Sequence, residues 1–196
     1  MSAIWNWQDL MTEWNRMILS SQIRQHIPPD LIEKGWFGFP GATEEQLEQL
    51  EHRLGIALPP SYRSFLSFSN GWQGRLTHSI YNLLSTNEVD WFSRRHPDWL
   101  AAWTRDTSRD ELITDEIYFR DPLDPDTMRF SYLRECLEIS GEGDLAMLLL
   151  NPKVINQDGE WEAWFFADWL LGAERCPSFW ELMQREFRRF PEIDKV

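Results

Sequence analysis

Apolar positions recur at helical spacing in three places along this chain. Trp7, Leu10, Met11, Trp14, Met17 and Ile18 fall on one stripe of a 3.6-residue period. Asn6 stands before them with a side chain suited to cap a helix start. Residues 26–29 then end that segment, and the aromatic loop 36–41 follows. Leu47, Leu50 and Leu54 form a second stripe, opened by Thr43 and Gln46 at capping-box spacing and closed by Gly55. Leu58, Pro59 and Pro60 make an extended link, because a residue before proline is pushed out of the helical region. Pro60 presets a helix start, and Tyr62, Phe65 and Leu66 give that helix its apolar face. Asn70 and Gly71 end it, since both tolerate positive φ. The third stripe is Phe179, Leu182, Met183, Phe187 and Phe190, with Ser178 and Glu181 placed for a capping box.

Between these helices the pattern turns toward strands. Residues 76–84 read as a strand region, 87–92 and 97–103 as short helices or loops, and 104–115 as an exposed polar connection. Ile117, Tyr118 and Phe119 read as a short strand. Residues 134–139 and 145–150 read as strands around a turn at 141–144, and 161–166 as a further strand after the Asn156–Gly159 turn signal. Helices first, then strands, then a helix gives an α+β class rather than alternating βαβ units. The tight turns imply a mainly antiparallel central sheet with helices packed around it in a single domain. Residues 1–40 read as an N-terminal helical extension packed on the domain formed by residues 41–196.

Leu58-Pro59, Tyr62, Phe65-Leu66 and Asn70-Gly71, in that spacing, resemble the signature of the SUKH superfamily. In particular the string looks like the branch named for the fungal cell-wall assembly regulator. Residues 138–144 with the apolar run 145–150 look like the family's strand–acidic turn–strand, and residues 178–183 like its closing helix. The matches span residues 43–187, with a poorly matching middle. The resemblance implies the same sheet-and-helix architecture and a non-catalytic protein-binding role. Many members of the superfamily are regarded as bacterial immunity proteins that neutralise toxins by binding them. A scaffold or regulator of an endogenous signalling or cell-wall protein is the second role it implies.

Charge narrows the partner. Lys and Arg total 19 against 32 Asp and Glu, a formal net of -13. Such a chain repels phosphate backbones, so nucleic acid and anionic membranes are excluded and a basic protein partner, such as a basic toxin domain, is favoured. The same acidity also serves plain solubility. The polar side of the first helix lacks the Lys/Arg face of a membrane-surface helix. The 12 Trp and 12 Phe point to an aromatic core, with a minority of tryptophans available as binding anchors. Cys136 and Cys176 match neither a metal spacing nor a disulfide framework, no stretch reads as a signal peptide, and a cytoplasmic location is expected.

The search for catalysis returns little. His26, His52, His78 and His96 sit in no catalytic or metal motif, and no phosphate loop or nucleophile elbow appears. No catalytic residue, metal or cofactor is therefore expected. Asp121, Asp124 and Asp126 are interrupted by Pro122 and Pro125 and lack the mid-loop glycine of a calcium loop. Glu142 and Asp144 flank Gly143 in a turn, where acidic side chains serve the local backbone or rim a binding groove. On the strand from Glu160 to Phe166, Trp161, Ala163 and Phe165 point one way; Glu160, Glu162, Trp164 and Phe166 point the other. The second face reads either as a half-exposed surface for capturing Arg or Lys, or as a strand whose aromatic end lies under a helix. The candidate partner-binding residues are Glu142, Asp144, Glu160, Glu162 and Trp164. Glu160 and Glu162 are also the first suspects for a carboxylate-dependent enzyme.

Overall fold

The computed structural model describes residues 5–77, 79–120 and 123–193. Helix α1 (Trp7–Ser20) starts where Asn6 accepts from the Asp9 amide, as the sequence predicts. A 3-10 turn (Gln22–His26) and a short helix α2 (Pro29–Lys34) follow; α2 has no sequence-level prediction. Helix α3 (Glu44–Leu54) carries both halves of the Thr43–Gln46 capping box and ends at Gly55 with φ 74°. Helix α4 (Pro60–Phe68) then buries Tyr62, Phe65 and Leu66, while α3 buries Leu47, Leu50 and Leu54.

Five strands form one sheet: β1 (Asp90–Trp91), β2 (Leu137–Glu138), β3 (Ala146–Ile155), β4 (Trp161–Ala167) and β5 (Ala173–Cys176). They lie side by side in chain order, every pair antiparallel. Leu149 pairs with Trp164, and the register shifts between Asn151 and Ile155, where Pro152 has no amide to donate. The long helix α9 (Phe179–Ile193) closes the chain.

Both faces of the sheet are covered. One face packs Leu148, Leu150, Ala163 and Phe165 against α1, α3, α4 and α9. There Trp7 meets the rings of Phe65, Phe179 and Trp180 at centroid distances of 5.2, 5.4 and 4.7 Å, so the apolar stripe of α1 is spent on the core. The opposite face packs Met147, Leu149, Trp164 and Phe166 against the middle of the chain. That middle supplies α5 (Phe92–Arg95), α6 (Pro97–Trp103) and the 3-10 segment Phe130–Glu135. Trp103 stacks on Phe130 at 5.3 Å and meets the Phe166 ring edge-on at 5.5 Å. This double burial explains why β3 reads as a continuous apolar run rather than an alternation.

The middle departs from the sequence reading in several places. Among the described residues of 76–84 there is no strand; Leu83 makes isolated bridges to Trp72 and Ser140, and His78 lies outside the described residues. Ile117 and Tyr118 belong to a helix, α8 (Asp115–Tyr118), which follows α7 (Ser108–Leu112) and is capped by Thr114. A Thr cap before two acidic residues outweighs the β propensity of three apolar ones. The expected strand 134–139 shrinks to Leu137–Glu138, because the 3-10 segment takes its start. The calcium reading of residues 121–126 falls partly outside the described residues at Asp121 and Pro122; Asp124 caps the turn Pro125–Thr127 instead.

Candidate functional site

Three of the five candidate partner-binding residues lie inside the protein. Trp164 is fully buried, and Glu160 and Glu162 nearly so. The half-exposed carboxylate–aromatic face is therefore corrected. The segment 92–135, which carries no signature motif, supplies a second layer that the strand pattern alone does not reveal.

Glu162 is the centre of a buried polar network. Its Oε2 accepts from the Tyr118 hydroxyl at 2.5 Å, the Trp164 indole at 2.7 Å and the Asn151 amide at 3.1 Å. Its Oε1 meets the Arg175 guanidinium at 3.2 Å. Arg175 also donates to the Tyr118 and Asp124 carbonyls and the Thr127 hydroxyl, and lies over the Tyr118 ring at 4.1 Å. A buried ion pair persists when hydrogen bonds fill the remaining valences, and here they tie β4 and β5 to α8 and the turn after it. Burial, then the adjacent Glu162 charge, raises the Tyr118 pKa.

Glu160 faces the other layer. It precedes β4, and its two oxygens accept from the Ser61 amide at 2.7 Å and the Ser61 hydroxyl at 2.6 Å. Helix α4 begins on two prolines with no side-chain cap of its own, so this residue just before the strand caps it from a distance. Burial raises the Glu160 pKa, and the two Ser61 bonds oppose the rise. Glu160 and Glu162 thus serve different layers of the fold and do not form a carboxylate pair.

Glu142 and Asp144 stand where the sequence places them, exposed on the turn before β3. Gly143 and Ala146 exchange two backbone bonds of 2.9 and 2.8 Å across Asp144 and Leu145. Both central residues have positive φ, 47° and 59°, as a type I′ hairpin turn requires. The base of the turn is closely fitted: a Cβ on Gly141 would sit 2.2 Å from the Asn82 amide oxygen, and one on Gly143 2.4 Å from the Ser79 carbonyl. The Tyr81 hydroxyl donates to Asp144 at 2.8 Å, and Arg75 lies 4.0 Å over the Tyr81 ring. The bond to Asp144 is the main reason that the Tyr81 pKa is raised.

The neighbouring turn between β4 and β5 joins this one. The Asp168 amide donates to the Leu145 carbonyl at 2.9 Å, and the Trp169 indole to the Asp144 carbonyl at 3.2 Å. Sequence reasoning passed over Leu145, Trp169 and Leu171. A leucine directly after Gly-Asp in a tight turn was the available signal, because that position favours glycine or asparagine.

Among the described residues no group of three His, Cys, Asp or Glu is placed to hold a metal ion, and no helix is long and apolar enough to cross a membrane. The arrangement at the turns offers acidic and apolar contact on a fixed frame. No curated protein matches the chain. The model of the SMI1 / KNR4 family (SUKH-1) matches residues 41–185, which takes in the capped helices α3 and α4, the sheet and the first half of α9, and the chain belongs to that family.

Proposed function

We propose that the chain is a non-catalytic binding module of the immunity kind, which neutralises a toxin by docking on it and occluding its working surface. The observation that carries this reading is membership of the SMI1 / KNR4 family (SUKH-1) over residues 41–185. Two features of the molecule support it. The net charge of -13 favours a basic partner and accelerates encounter with it. The carboxylates that could have served as an acid–base pair, Glu160 and Glu162, are each consumed in structural bonds.

The test is co-expression in a bacterial host with the domain encoded directly beside this gene. Protection from that domain's toxicity, together with a purified complex of the two, supports the reading. A toxic neighbour that this chain neither binds nor neutralises refutes it. Stable binding of a non-toxic neighbour would instead favour regulation of an endogenous protein.

A further inference from the structure

The turns at one end of the sheet carry three of the large apolar side chains exposed among the described residues. Leu145 is 47% exposed, Trp169 59% and Leu171 69%. All 12 tryptophans lie among the described residues, and Trp169 alone is exposed; the others pack wholly or partly into the core. Leu145 holds φ 59°, a left-handed conformation that glycine and asparagine adopt readily and leucine does not. Folding gains nothing evident from a leucine there, since half of its side chain faces water. A residue that violates a local rule without a packing gain points toward function.

We infer that the two turns form a docking tip, with Leu145, Trp169 and Leu171 as apolar anchors, for a protein surface that offers an apolar recess bordered by Lys and Arg. This rests on the binding-module reading above and names its contact. The occupant's chemistry follows from the rim. Glu142, Asp144 and Asp168 are all exposed around the anchors, on a chain of net charge -13. A second copy of this chain would bring the same carboxylates face to face across an isologous contact, and a phosphate surface would be repelled. The tip is also held in one shape. The Trp169 indole and the Tyr81 hydroxyl both bond to Asp144, and Gly143 lies so close to the Ser79 carbonyl that a side chain there would meet it at 2.4 Å. A preformed tip loses little conformational freedom on docking.

The test uses a synthetic amphipathic peptide of leucines and lysines, titrated into the nitrogen-15-labelled full chain and followed by NMR. Each tryptophan indole gives its own signal, so Trp169 is read separately from the buried ones. The expected result is movement of the Trp169 indole and of the amides at 142–145 and 168–171, weakening as salt rises. Leu145→Gly should bind the peptide on the order of tenfold more weakly, the loss of about half a leucine's buried area. It should melt at or above the wild-type temperature, because glycine suits φ 59°. Trp169→Ala should weaken binding at least as much. The inference is overturned if the peptide moves no signal, if it moves signals elsewhere, such as the apolar cleft of about 450 Å³ lined by Phe119, Leu123 and Ile155, or if Leu145→Gly binds like wild type. A Leu145→Gly variant that melts several degrees lower would also overturn it, by making Leu145 a packing residue. A chain that responds at the tip yet protects against no toxin loses the immunity reading and keeps the tip. A chain that protects while the tip stays silent loses the tip alone.

Discussion

Replacing Glu162 by Gln removes one charge from the most heavily bonded side chain of the second layer. Four donors converge on this carboxylate: Tyr118 at 2.5 Å, Trp164 at 2.7 Å, Asn151 at 3.1 Å and Arg175 at 3.2 Å. A glutamine amide has one oxygen, so either the three neutral donors or the guanidinium faces an N–H₂ group instead of an acceptor. The Arg175 side chain is fully buried, so its charge cannot escape to water. Breaking one side of a buried pair costs about 3–5 kcal/mol. At about 2–4 °C per kcal/mol for a chain of this length, the melting temperature should fall by about 6–20 °C. The double variant Glu162→Leu/Arg175→Met loses both charges together. It leaves Tyr118, Trp164 and Asn151 without their acceptor, so it should stay below wild type. Yet it should lose clearly less than Glu162→Leu and Arg175→Met added together, because neither of its sites strands a charge. The assay is thermal and urea unfolding of wild type, the singles and the double, followed by circular dichroism. A Glu162→Gln variant that melts within a degree of wild type, or a double variant whose loss equals the sum, would refute the account of a coupled buried pair.

Three further outcomes follow from the same physics. Phe65→Ala, which empties the contact of α4 with Trp7 and Phe179, should cost about 3–5 kcal/mol by urea unfolding; a change under about 1 kcal/mol would remove this face from the core. Glu186 is buried beside Arg185 and Arg189, and burial is the main reason that its pKa is raised. The folded state then holds that proton to higher pH than the unfolded chain, so its contribution is fully present below the unfolded value near 4.5 and is lost as pH rises through the folded one. Glu186→Gln should therefore gain on wild type between pH 4 and pH 7 in urea midpoints, and a difference that does not change with pH would count against it. Gly143→Ala should destabilise and broaden the amide signals of residues 141–146, since its Cβ would meet the Ser79 carbonyl at 2.4 Å; unchanged spectra would show that the turn has slack.

The segments that could be read from sequence are those whose own atoms complete their structure. Helix α3 carries its cap, its apolar stripe and its terminal glycine within 13 residues, Thr43 to Gly55, so neighbouring chemistry alone specifies it. The same holds for α1, opened by Asn6, and for the Asn156–Gly159 turn, where the Asp158 amide finds the Asn156 side chain at 2.9 Å. The acidic turn at Glu142 and Asp144 is legible in part, because Asp tolerates the positive φ that a two-residue hairpin demands; its other central residue, Leu145, reads as the start of the strand. Strand β5 escaped notice: four residues, Ala173–Cys176, are too few to show a period, and Arg175 at its centre looks like a surface cation.

Tertiary structure decided which strand faces are solvent and which are core. Glu160, Glu162, Trp164 and Phe166 alternate in sequence as a half-exposed face would, and nothing within the strand says that α5, α6 and the Phe130–Glu135 segment will lie over it. A carboxylate at the strand's start is turned into a remote helix cap by Ser61, 99 positions away, and its neighbour into an ion pair by Arg175. Sequence pattern records the local preference of each residue for water or for its own backbone. Whether a polar atom ends at the surface or in the interior depends on which distant group arrives to bond it, since an unpaired buried charge is too costly to survive and a paired one is not. So the alphabet of helices and turns, the acidic charge and the family were present in the chain itself. The second layer over the sheet, the buried Glu162–Arg175 pair and the bonding of Trp169 and Asp168 to the turn at Asp144 and Leu145 came only from how distant segments fold against one another.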